Sequence, residues 1–376
     1  MPYVVTPRRP ITPDEIWDKI LTGVFVTADD CLPKPTTGTI TRITRDLVPS
    51  DSIFNDIRRL KEFNARYVSL FDQPRESLYH KFYIPKRHGG KREIDEPLPE
   101  LKTALNDLKA LLESFWPALY HTSAFAYVKG RCIRDLNLRH TQNGSNWFLK
   151  TDFSGFFPSS NLRFVMNMLC DVFPFSQIAE YPDGRAELEK AISLAMLNDG
   201  LPQGSPLSPM LSNIIMIPID HYLFNLFAKQ KMVYTRYADD ITVSAAEKFN
   251  PAAMVNEIEK ALRIFNAPYT IKPEKTKFVS AKGPNWNLGL MVNKDHQVTV
   301  GHDRKKLFRA AVNNFILDYK NNKYWSAEDA MELQGKLAYY QMVEKDYFLH
   351  FQEGVRNKYH VDLKTALSSC ISACSH

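Results

Sequence analysis

Hydrophobic and polar positions along the 376-residue chain switch between a helical period and a two-residue period, and the switches mark out the elements. Residues 1 to 50 show neither period. Pro, Thr and isolated charges dominate there, which predicts an extension with short helices at most. From 51 to 76 the run IFNDIRRLKEF is helical, with its basic residues to one side. A strand and turn follow in FYIPKRHGGKREIDEP, and Leu101, Leu105, Leu108 and Leu112 recur at helical spacing across 101 to 116. WFLKTDF, residues 147 to 153, is a short β-type run that carries Asp152 near its end. Helical patterns over 162 to 173 and 187 to 197 lead to the loop NDGLPQGSPLSP, which opens a long apolar helix running through Phe227. MVYTRYADDITVSA predicts two strands around a tight turn at Ala238-Asp239-Asp240. An amphipathic helix over 254 to 265 and strand-like runs near 277 to 280 and 288 to 292 come next; beyond Asp303 the pattern is wholly helical. Strands and helices without strict alternation, closed by a helical tail, predict an α+β fold with a helical appendage.

Composition narrows the class. With 44% hydrophobic and 24% charged residues the chain is neither a disordered polymer, a collagen-like fibre nor a coiled-coil rod. Its length suits two or three compact units. Lys+Arg 48 against Asp+Glu 42 gives a net charge of +6, a mild basic bias that fits a nucleic-acid partner without identifying one. The five cysteines (Cys31, Cys132, Cys170, Cys370, Cys374) are scattered and form no CxxC, so neither a disulfide framework nor a zinc site is expected. MPYVVTPRRP lacks the pattern of a signal peptide. The apolar stretch 210 to 227 is interrupted by Ser212, Asn213, Pro218, Asp220 and His221, so no membrane span is expected and the location is read as cytoplasmic.

The candidate chemistry lies in carboxylates. Asp239 and Asp240 sit together at the tip of the predicted hairpin, where Asp is common for purely local reasons. Asp152 ends a separate hydrophobic strand. If those strands share a sheet, three carboxylates meet at one edge, and such a cluster repels itself unless cations bind it. Hard oxygen ligands suit Mg²⁺, which keeps positions open for substrate phosphates.

The motifs LKTDFSGFFPS, GLPQGSPLSPMLSN, YADD and NLGLMVN, in that order, resemble the reverse transcriptase family, in particular its bacterial retron-like and defence-associated members. The resemblance covers most of the chain, from about Tyr83 past Val292. It implies a right-hand polymerase with fingers, a palm built on an antiparallel sheet, and a helical thumb. It further implies a magnesium-dependent, RNA-binding nucleotidyltransferase, an RNA-directed DNA polymerase. Asp152, Asp239 and Asp240 would hold two Mg²⁺ ions, with Mn²⁺ able to substitute. Phe157 falls where the family places a ring against the sugar, which would favour deoxynucleotides, and Phe153 lies beside it at the substrate. Gln203 and Gly204 match the loop that lies against the nascent pair, and Tyr237 would pack beside the primer end or template. Lys86 and Arg92 would contact the triphosphate, and Lys275 resembles a downstream lysine that protonates the leaving pyrophosphate. Arg304, Lys305, Lys306 and Arg309 flank an apolar stripe of Leu307, Phe308, Ala311, Val312, Phe315 and Ile316, like a thumb helix gripping a duplex backbone.

On this reading residues 1–50 form an N-terminal extension, 51–146 the fingers with the start of the palm, 147–300 the palm with a finger insertion near 160–200, and 301–376 the thumb and tail. Two departures from the retron pattern stand out. LNLRH keeps His140 of the fingers signature but not its leading Asn, and Asn287-Leu288-Gly289 replaces Val-Thr-Gly. They point to the wider defence-associated set, copying an associated non-coding RNA template or primer into a DNA product from dNTPs, in antiphage (antiviral) defence. An effector protein or a homo-oligomer is left open as a partner. Two other functions also remain open: a template-independent terminal nucleotidyl transferase, which shares the metal chemistry, and an RNA-binding scaffold that controls a toxin or effector.

Overall fold

The computed structural model describes residues 50–85, 89–115, 120–283, 285–323 and 325–373. Helices α1 (Ser50–Arg66) and α2 (Val68–Phe71) precede the antiparallel hairpin β1 (Tyr79–Pro85) and β2 (Lys91–Pro97), then α3 (Pro99–Phe115). Helix α4 (Ile133–Gln142) leads into β3 (Trp147–Ser154). A helical stretch follows: α5 (Phe156–Ser159), α6 (Leu162–Cys170), α7 (Phe175–Ala179), α8 (Pro182–Ser193), α9 (Ser208–Ile215) and α10 (Ile217–Lys229). The hairpin β4 (Val233–Tyr237) and β5 (Asp240–Ala245), helix α11 (Pro251–Ile264), and β6 (Thr270–Ile271) and β7 (Lys277–Ser280) complete the main sheet. A small sheet of β8 (Asn285–Asn287), β9 (Leu290–Val292) and β10 (Val298–Thr299) precedes the helices α12 (His302–Lys320), α13 (Ala327–Val343), α14 (Lys345–Tyr359) and α15 (Leu363–Ala373).

The main sheet has the order β4-β5-β3-β6, with β7 also paired to β3. This order sets the Asp152 strand beside the strand that starts at Asp240. β6 pairs antiparallel with β3, Phe153 opposite Ile271 and Ser154 opposite Thr270. The α+β class expected from the sequence is the class observed.

Two compact units divide the chain. The first gathers the described residues up to Arg131, Leu149–Val243 and Phe249–Phe278. Its core takes one face of α1 (Ile53, Ile57, Leu60, Phe63) and the fully buried Leu101, Leu105, Leu108 and Leu112 of α3. Each such side chain contributes roughly 1.5–3 kcal/mol by leaving water. The apolar run through Phe227, expected as one helix, is two, α9 and α10, which meet at Met216. Pro218 lies in the first turn of α10, where its missing N–H is tolerated.

The second unit holds Cys132–Phe148, Ser244–Lys248 and the described residues from Val279 onward. Phe308, Val312, Phe315 and Ile316 form the buried stripe of α12. Leu307 was expected in that stripe but is 72% exposed, because it lies about 100° round the helix from Phe308. Tyr340 and Phe348 pack on Phe308, with ring centroids 5.3 and 5.6 Å away. The two signature departures meet in this unit. The Asn287 amide donates to Asn137 Oδ1 at 3.1 Å, and His140 Nδ1 lies 2.6 Å from Ser244 Oγ. Among the described residues no helix is long and apolar enough to cross a membrane.

Asp56 on α1 is buried, and that burial, only partly offset by Arg59, pushes its carboxyl up to about 6. A folded value above the unfolded one means that stability falls as pH rises from about 4 to 6. We expect Asp56→Asn to be more stable than the parent at pH 7, by on the order of 2–3 kcal/mol for a shift of about two units, with the difference gone at pH 4. Urea unfolding at the two pH values checks this.

Candidate active site

The tight turn between β4 and β5 carries the two adjacent carboxylates. Ala238 takes a left-handed backbone, φ 56°, a conformation rare for a residue with a Cβ. Asp239 follows it, and Asp240 opens β5. The next strand over is β3, and the Phe153 amide donates to Asp239 O at 3.1 Å. That backbone bond places Asp152 and Asp239 on neighbouring strands with their charges in each other's field. The structure therefore brings together the three carboxylates that the sequence singled out.

Asp152 is almost wholly buried. Its Oδ2 accepts from Lys275 Nζ at 2.5 Å and from Lys272 Nζ at 3.2 Å, while its Oδ1 is buried without a hydrogen-bond partner. Burial and the Asp152 charge raise the Asp239 carboxyl above the usual range. Asp240 keeps its side chain open to solvent, yet the protein around it, and then the Asp239 and Asp152 charges, push it up to about 6. The hydrogen bond to Asp152 raises the Lys275 ammonium in turn. Lys272 was not among the expected residues. β6 ends at Ile271, and the next residue remains in register with β3, where Lys272 N donates to Asp152 O at 3.2 Å.

A divalent cation fits this arrangement. One buried carboxylate oxygen has no partner, a second is shared by two ammonium groups, and all the donors are hard oxygens. Among the described residues no group of three or more His, Cys, Asp or Glu side chains is arranged to hold a metal ion by itself. Mg²⁺ needs only one or two carboxylates, the rest of its shell being water and phosphate oxygens.

The loop ahead of α9 is pressed between two other segments. Leu201 N donates to Phe157 O at 3.0 Å, and a Cβ on Gly200 would lie 2.3 Å from Pro158 O. On the far side Asp95 N donates to Gln203 O at 2.7 Å. Gly204, at φ 123°, passes so close to β2 that a Cβ would stand 2.7 Å from Asp95 O. The loop thus joins the hairpin of β1 and β2, through Gln203 and Gly204, to the segment carrying Phe157, through Gly200 and Leu201. The Phe157 ring is half-buried and meets Phe156 edge-on at 5.5 Å.

Phe153 is a correction. Its ring is fully buried, stacked 5.3 Å from Tyr269 and 5.9 Å from Phe156, so its side chain is core and only its backbone reaches the carboxylate turn. Alternation along β3 explains this: Asp152 and Phe153 face opposite sides of the sheet. Arg92 is exposed on β2, opposite Ile84. Lys86 lies outside the described residues. Tyr237 ends β4; burial first, then the Asp239 carboxylate, holds the phenol of Tyr127 above its ordinary value, while Arg92 opposes them. Tyr127 has φ 61° and was missed by the sequence reading.

Within the second unit the four basic residues of α12 divide into two pairs. Arg304 donates to Gly289 O and lies 4.7 Å over the Trp286 ring, and Lys305 pairs with Glu344. Both are committed inside the protein, which corrects their expected role as free phosphate contacts. Lys306 and Arg309 remain exposed beside Leu307.

A family model described as reverse transcriptase (RNA-dependent DNA polymerase) matches residues 84–305. The chain is 28% identical over 291 residues to the Retron Ec73 reverse transcriptase of Escherichia coli, covering 76% of this chain and 88% of that one. To the Retron Mx162 reverse transcriptase of Myxococcus xanthus it is 29% identical, covering 78% of this chain and 62% of that one. Among solved structures, the apo telomerase from Candida tropicalis aligns at 14% identity with a TM-score of 0.44, over 80% of this chain and 66% of that one.

Proposed function

The chain belongs to the reverse transcriptase (RNA-dependent DNA polymerase) family, and on that premise we propose that its polymerase centre lies at the ends of the inner strands β3 and β5, where Asp152, Asp239 and Asp240 meet. The enzyme is an RNA-directed DNA polymerase. In the reaction a primer hydroxyl attacks the α-phosphate of a deoxynucleoside triphosphate and pyrophosphate leaves. Asp152 and Asp239 are the residues that would hold the divalent cations, with Asp240 as the third carboxylate. Two Mg²⁺ ions bound there would stabilise charge on the attacking and leaving oxygens. The observation that carries the reading is the buried, unpartnered Oδ1 of Asp152 beside the Phe153–Asp239 backbone bond.

The chain's own groups set the rest of the site. Lys272 and Lys275 pair with Asp152 and would bring positive charge to the phosphate oxygens of the triphosphate. Lys275, the more exposed of the two, is the better placed to give a proton to the leaving pyrophosphate. Arg92, on the exposed face of β2, and Lys86 supply charge for the triphosphate. Phe157, fixed through its own carbonyl to Leu201 N, presents its half-buried ring to the sugar, where a ribose 2′-hydroxyl collides with it. Gln203, Gly204 and Tyr237 line the nascent pair. Lys306 and Arg309 remain as the phosphate contacts of a thumb formed by α12 and the helices after it. The first unit supplies fingers and most of the palm. By likeness to the retron enzymes, the template is a dedicated non-coding RNA and the setting is antiphage defence.

Two measurements test the reading. Asp239→Ala with Asp240→Ala should lower dNTP incorporation by at least a thousandfold with thermal unfolding still cooperative; substantial incorporation by the double variant contradicts the assignment. Phe157→Ala should raise ribonucleotide use at least tenfold relative to deoxynucleotides in single-nucleotide extension, and an unchanged ratio removes Phe157 from that role.

A further inference from the structure

Behind the carboxylate turn lies a charged pair with no access to solvent. Arg236 on β4 and Asp220 in the first turn of α10 are both 0% exposed. The guanidinium uses Nε and Nη2 on the two Asp220 oxygens, at 2.9 Å to Oδ1 and 2.7 Å to Oδ2 respectively. Its remaining arm, Nη1, donates to the carbonyl of Ala238 at 3.0 Å. Tyr234 completes the group by donating from its hydroxyl to Asp220 Oδ1 at 2.8 Å. Arg236 is itself pinned through its backbone, N to Ser123 O at 2.8 Å and O from Phe125 N at 2.9 Å.

Ala238 is the left-handed residue of the turn. Its carbonyl belongs to the peptide plane that precedes Asp239. The plane that follows Asp239 is held at its own carbonyl by Phe153 N. Asp239 therefore hangs between two peptide planes, each fixed by one hydrogen bond from outside the turn. We propose that Arg236, locked by Asp220, is a positioning residue for the polymerase reaction: it sets the peptide plane ahead of Asp239 and so the direction in which Asp239 and Asp240 present their oxygens. A buried ion pair is weak as a source of stability, because desolvation offsets much of the attraction. Arg alone combines a two-pronged grip on a carboxylate with a third donor in the same rigid plane; a lysine ammonium is a compact point charge.

The inference rests on the carboxylates acting as proposed above, so Asp239→Asn is measured beside the variants. Wild-type incorporation together with its loss in Asp239→Asn keeps that reading intact whatever Arg236 does. Arg236→Lys should lower kcat for dNTP incorporation at least tenfold while the dNTP KM changes less than threefold. In a nucleotide-free titration followed by electron paramagnetic resonance, its Mn²⁺ half-saturation should rise at least threefold. Asp220→Leu/Tyr234→Phe/Arg236→Met replaces the buried polar group with apolar side chains. It should melt no lower than wild type and still show both defects, because the Ala238 carbonyl has lost its donor. Wild-type kcat or wild-type Mn²⁺ affinity in either folded variant overturns the proposal. So does failure of both variants to fold, which assigns the pair to folding alone.

Discussion

The arrangement depends on mutual repulsion among carboxylates. Asp152, Asp239 and Asp240 are brought to the ends of neighbouring inner strands by the pairing of β5 with β3, and burial first, then the neighbouring carboxylates, raises the Asp239 and Asp240 carboxyls. Two ammonium groups, Lys272 and Lys275, meet the most buried member of the trio. Strand pairing forces the charges together, and the compensating charge has to come from lysine or from metal. Like charges in contact are stable only with such a partner.

Around those strand ends, backbone contacts matter more than side chains. Gly200 and Gly204 are tolerated where a Cβ would strike Pro158 O and Asp95 O, so the 200–204 loop can be clamped between β2 and the Phe157 segment. Any side chain at Gly204 would both clash and strain a backbone at φ 123°. The same economy holds at the turn itself, where Phe153 acts through its amide while its ring lies in the core.

The sequence makes the acidic trio legible because each member closes or opens a strongly patterned strand: WFLKTDF ends near one, and the VYTRY and DITVSA runs enclose the other two. Other parts were harder to read. The run through Phe227 reads as one helix because both α9 and α10 bury so many of their residues, and Pro218, in the first turn of α10, is the local sign of the break at Met216. Phe153 and Leu307 were assigned by neighbourhood, whereas strand alternation and the 100° helical step place their side chains elsewhere. Arg304 and Lys305 look like free charge until Gly289, Trp286 and Glu344 arrive from elsewhere in the fold. Lys272, and the pairing of Arg236 with Asp220, depend on contacts between distant segments that no local period encodes.

The most direct test is to locate the cations themselves. A crystal of the enzyme with an RNA template, a DNA primer and a non-hydrolysable dNTP, grown with Mn²⁺, would show them by anomalous scattering. Two Mn²⁺ ions bridged by Asp152 and Asp239, with Lys272 and Lys275 released from Asp152, is the predicted result. Mn²⁺ bound elsewhere, with Asp152 still held by its two lysines, would contradict the account.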